Sequence, residues 1–173
     1  MRNNDKSAAP LGRLAEKAAA LICVLALVLG ISGCSAENKS ISIYDLQKTM
    51  IAADENLPEM LISNSNEENA EKTFSYLSEM DYNKVSGFFL AYTSDGMAYE
   101  IAAVELKDGA DMQELRNSLQ KHLDGRISLY KTYEPGQVQR AENAVIRTKG
   151  NVCVLIMCDN ISAVETAFNE FLK

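Results

Sequence analysis

The chain predicts an α+β fold: a two-layer sandwich with a four-stranded, mainly antiparallel sheet and two packing helices, in a ββαββα-like order, preceded by a helical N-terminal segment. Three observations lead there. β-rich stretches at residues 85–93 and 97–106 flank Ser94-Asp95-Gly96, and a second pair at 144–148 and 152–158 flanks Lys149-Gly150-Asn151, so each pair reads as a hairpin. Each hairpin is followed by an amphipathic helical stretch. The strands containing Phe88–Tyr92 and Val152–Met157 are apolar without alternation, which asks for cover on both faces of the sheet.

Residues 1–33 read as an address rather than as part of the fold. Arg2, Lys6, Arg13 and Lys17 make a basic start, with Asp5 and Glu16 as its only acids. Residues 18–31 are apolar apart from Gly30, about fourteen residues or roughly 21 Å of helix. A bilayer core of about 30 Å takes about 20 residues. The stretch is therefore short for a stable span and right for the apolar core of a signal peptide. It ends in Ile31-Ser32-Gly33-Cys34, where small residues suit a peptidase and the thiol suits diacylglyceryl transfer. These four residues resemble the bacterial lipobox at every position. The resemblance implies a mature chain that starts at Cys34 and carries two acyl chains, enough for stable anchoring. It would sit on the outer face of the cell membrane, with residues 34–40 as a lipidated tether. Ser35 rather than Asp follows Cys34.

Residues 41–81 read as an acidic helical segment. Ile43, Leu46, Met50 and Ile51 fall on one helical stripe with Ser42 as its cap. Pro58 interrupts, residues 62–69 read as a polar loop, and a second helix is expected over about residues 67–80 with Phe74 and Leu77 inward. Residues 34–81 hold ten acids and three bases, which reads as a solvated acidic surface.

Residues 82–173 form the expected α+β domain, with twelve acids and ten bases. After the first hairpin, Asp111-Met112-Gln113-Glu114 reads as a capping box. Met112, Leu115, Leu119 and Leu123 then stripe a helix expected to reach about Tyr130, with Gly125 as a place to bend or end early. Pro135-Gly136 closes the connection to the second hairpin. Asp159 or Asn160 caps a last helix whose inward residues are Ile161, Val164, Phe168, Phe171 and Leu172. A four-stranded sheet covered by two helices on one side leaves its second face to be covered by the segment 41–81, a partner or a second copy.

Composition narrows the function. A net charge of −7 excludes a basic nucleic-acid binder, so no nucleic-acid partner is expected. One histidine and four cysteines are too few for most zinc sites or a disulfide framework, and no cofactor or metal is expected. Cys23 leaves with the signal and Cys34 takes the lipid. Cys153 and Cys158, five residues apart on one strand, point to opposite faces and read as buried apolar thiols. The sequence carries no nucleophile-elbow, Walker, His-Glu-x-x-His or dinucleotide-binding motif, and no catalytic residue is assigned. Glu100 is an acid in mid-strand between Ala98 and Ala102 on its own face, so it either faces water or sits in a small-walled groove. Tyr133 and Pro135 read as a chain reversal. Glu100 and Tyr133 are the candidate groove residues. His122 falls beside the apolar stripe of the long helix. Arg126, Lys131 and Arg140 make a candidate anion-facing patch.

The region from about Tyr82 onward resembles the Gram-positive lipoproteins of domain-of-unknown-function family 4358. The residues that carry this are Tyr99-Glu100-Ile101-Ala102, Val104 to Asp108, Leu115 and Leu119, Tyr133-Glu134-Pro135, Lys149-Gly150-Asn151-Val152, and Ala163 to Phe168. The resemblance implies the fold and the extracytoplasmic location, and it brings no activity and no site residues. Two functional expectations follow. One is a non-enzymatic cell-envelope lipoprotein, a binding or accessory module for an envelope protein or surface polymer. The other is a small envelope hydrolase or transferase acting on surface polymers with Glu100 as acid/base, which requires a cleft with Glu100 at its base.

Overall fold

The structure, a computed structural model, describes residues 41–173. The signal segment, the lipobox residues Ile31, Ser32 and Gly33, the lipid site Cys34 and the tether to residue 40 lie outside the described residues. No described helix is long and apolar enough to cross a membrane.

The chain opens with α1 (Ile43–Ala52), capped as expected by Ser42, whose side chain accepts from the Asp45 amide. Then comes β1 (Leu61–Asn64), followed by α2 (Ala70–Leu77) and a 3-10 turn at Tyr82–Lys84. The first hairpin is β2 (Val85–Tyr92) and β3 (Glu100–Leu106). The long helix α3 (Met112–Tyr133) is followed by a 3-10 turn (Pro135–Gln137) and the short α4 (Val138–Asn143). The second hairpin is β4 (Val145–Lys149) and β5 (Val152–Met157), and α5 (Ile161–Phe171) completes the fold.

The fold is α+β, and the sheet has five strands rather than the four expected, in the order β1-β2-β3-β5-β4 with every neighbouring pair antiparallel. The additional strand is β1, which overlaps the start of the stretch read as a polar loop. It pairs Leu61 with Tyr92 and Asn64 with Phe89. Its reason for being a strand lies in that partner: Leu61-Ile62-Ser63-Asn64 has no alternation, and both apolar residues are largely exposed. A short edge strand is held by backbone bonds to its neighbour rather than by a buried face.

The expected two layers are three. Phe88, Leu90, Ala102, Val104, Cys153, Leu155 and Met157 point to one face, where α2, α3 and α4 bury them. Phe89, Ala91, Ile101, Ala103, Val154 and Ile156 point to the other, where α1 and α5 bury them. The two helical stretches of the acidic segment thus part company across the sheet. The strands are apolar on both sides because both sides are core. Gly87, at a bulge near the start of β2, lets α1 approach: a Cβ there would meet Ile43 Cγ1 at 3.0 Å. Gly96 and Gly150 take the positive φ of their hairpin turns, 78° and 59°.

The long helix departs from expectation twice. Asp111 caps it by accepting from the Gln113 and Glu114 amides. Glu114 does not close the box, because its carboxylate takes Lys84 Nζ at 2.6 Å instead. The helix also runs through Gly125 without ending, three residues beyond Tyr130.

Candidate functional site

Glu100 is the first residue of β3, on the face covered by α3. Its side chain is 4% exposed. A buried carboxylate is costly unless it is paired, and α3 supplies the pairing. His122 Nε2 lies 2.6 Å from Glu100 Oε1, and Arg126 Nε lies 3.6 Å from Oε2. Arg126 also donates to the Tyr130 hydroxyl and stacks on its ring, 5.0 Å from guanidinium to centroid. Tyr130 in turn donates to the Met97 carbonyl at 3.1 Å. Burial raises the Tyr130 phenol above its usual range, keeping it a neutral donor. His122, Arg126 and Tyr130 follow one another at intervals of four, one face of a helix. The Arg126 Nε is buried without a hydrogen-bond partner among the described residues.

Glu100, His122 and Arg126 of this network form the base of a groove of about 660 Å³ between the end of α2 and the middle of α3. That volume falls within the range of roughly 300–1,000 Å³ typical of small-molecule sites. Its floor includes Leu90, Tyr92 and Glu100, and its walls include Tyr76, Leu77 and Leu129. Tyr76 is 64% exposed and Leu129 46%, so the rim presents apolar surface to solvent. Ser118 Oγ ties the walls together, accepting from the Ser78 hydroxyl and the Glu79 amide, each at 2.8 Å. Gly125 also lines the groove, and a Cβ placed on it would meet nothing within 4 Å.

The other residues singled out by sequence scatter. Tyr133 is 72% exposed at the end of α3 and does not line the groove. The three cations of the expected patch have separate partners. Arg126 faces Glu100, Lys131 pairs with Glu142 at 2.8 Å, and Arg140 with Asp159 at 2.7 Å. Arg140 also stacks on Tyr99, whose hydroxyl donates to Asp159 at 2.7 Å. The bonds from Arg140 and Tyr99 hold the Asp159 carboxyl below its usual range. Cys153 and Cys158 are buried free thiols in opposite cores, and burial raises both. Neither meets His122, which is taken up by Glu100. Among the described residues no cluster of three or more His, Cys, Asp or Glu could hold a metal.

The roles of His122 and Arg126 beside Glu100 were not legible in sequence. The one available signal was the four-residue spacing His122, Arg126, Tyr130. It names a helix face, but not the strand that face meets.

One family model, described as a domain of unknown function, DUF4358, matches residues 61–158. No curated protein and no solved structure matches the chain.

Proposed function

Since the chain belongs to the DUF4358 family, whose description carries no activity, we propose a function from the groove itself: a non-enzymatic, extracytoplasmic binding module, lipid-anchored through Cys34 to the outer face of a Gram-positive cell membrane. The observation that carries the reading is the open groove with a Glu100–His122–Arg126 charge cluster at its base and an exposed apolar rim. Such a site is organised before a ligand arrives, so little ordering is left for binding to oppose. The lipobox at Ile31 to Cys34, behind a basic start and an apolar run, supports the location. The ligand would be an envelope component, a protein or a surface polymer.

Two measurements test this. Mass spectrometry of the protein from its native membrane should find an N-terminal diacylglyceryl Cys34, and a chain still starting at Met1 would overturn the location. A photoreactive residue in place of Tyr76, on the groove rim, should capture envelope material that the same residue in place of Tyr44, on α1, does not. Equal capture at both positions would overturn the groove.

One observation favours the second reading, an envelope hydrolase or transferase: an acid stands at the base of a cleft with a histidine 2.6 Å away, the reach of a proton-transfer pair. That reading expects Glu100→Gln to abolish function in cells. A Glu100→Gln protein that folds and complements like wild type would remove it.

A further inference from the structure

We propose that the groove takes a neutral, hydroxyl-rich ligand, a pyranose unit of a saccharide, seated against the bare helix backbone at Gly125; this deepens the binding-module reading and rests on it. The first argument is charge. Glu100 is met by both His122 and Arg126 at the base, and Lys121 is matched by Glu79 at the mouth, 2.7 Å apart, so each carboxylate and ammonium that lines the groove already has a partner. A charged ligand would have to compete with these pairs for its counter-charge. The second is donor–acceptor geometry. A carboxylate acceptor and a guanidinium donor stand side by side at 3.6 Å, with the guanidinium incompletely bonded. A hydroxyl both donates and accepts, so one hydroxyl can bond to the groove-facing edge of such a pair on both sides. An ionised carboxylate cannot donate to Glu100, and an ammonium cannot accept from Arg126. The third is the wall chemistry: Tyr76 and Leu129 offer apolar surface to the C–H faces of a ring, while Ser63 and Ser118 offer further hydroxyls.

Gly125 gives the groove its floor space. Glycine inside a helix is disfavoured relative to alanine by about 1 kcal/mol. The position is open, and the backbone there needs no positive φ. Nothing in the packing of this 22-residue helix calls for a glycine there. A ligand lying on the helix at that point does.

The test is binding by the full chain, held in a detergent without sugar head groups. The probes are maltotriose, N,N′-diacetylchitobiose and lactose, with inorganic phosphate, citrate and trialanine as competitors of other classes, each followed by calorimetry. At least one neutral sugar should bind, and Glu100→Gln should weaken it tenfold or more, because a buried bonding group loses its partner. Gly125→Ala should raise Tm by a few degrees, as helix propensity requires, and weaken the sugar severalfold. Gly125→Leu, also a good helix former, should abolish binding with the fold intact by circular dichroism. Sugar binding that survives Gly125→Leu overturns the placement. Absence of binding by all three sugars overturns the ligand class. If the Tyr76 photocrosslink still captures material selectively in that case, the groove reading stands without the saccharide. If it does not, both fall.

Discussion

Cys158 shows how a residue's surroundings decide its chemistry. It lies in the core between the sheet and α1, close to the Asp54 carboxylate, and burial pushes its thiol up to about 12. A thiol raised in the folded state favours folding fully below its unfolded value of about 8.5 and loses that contribution as pH climbs towards 12. Stability should therefore fall between about pH 9 and 12, and Cys158→Ala should fall less steeply over the same window in urea titrations. Tyr130, also raised by burial, keeps its own share in both proteins. Native Cys153 and Cys158 should resist iodoacetamide at pH 8 and react once unfolded. Their opposite faces were legible from a spacing of five on a strand. Glu100 was legible as an acid between two alanines, but its partners were not. Which helix face meets the start of β3 depends on how α3 docks, and docking follows from all of the side chains between them.

At the scale of the element, local chemistry carried far where it was strong. Both hairpins, the Ser42 and Asp111 caps and the stripe of α3 follow from turn residues and period, and all are present. Replacing Asp111 with Ala should cost about 1 kcal/mol of stability, since two amides at the start of α3 lose their acceptor; Tm measured by calorimetry checks it. A variant as stable as wild type would mean that the first turn is held by the Lys84–Glu114 pair instead. Local chemistry failed at β1 and α4. Four residues of mixed polarity have no period to read, and a six-residue helix after Pro135 has too few turns to show a stripe. Both exist because a neighbour already in place accepts them.

Residues 41–173 form a sheet between two helical layers, and the second layer joins α5, which follows the second hairpin, to α1 from the acidic segment. α1 and α5 cover the face that sequence left open, with Leu46, Met50, Val164 and Phe168 fully buried. Leu46→Ala should therefore cost about 2–5 kcal/mol, read as a shifted urea midpoint, although Leu46 lies far in sequence from the strands it covers. A cost below 1 kcal/mol would mean that α1 is a loose cover rather than part of the core. The acidic segment 41–81 and the region 82–173 are thus one unit. Its two ends differ in one respect that bears on the cell. Ile41, where the described chain begins, donates its amide to Glu105 at 3.4 Å, five residues along β3 from Glu100. The described residues therefore begin at one pole of the strand and the groove opens at the other, about 17 Å away at 3.3 Å per residue. Under the anchoring proposed above, the groove would lie at the pole of β3 opposite the point of attachment.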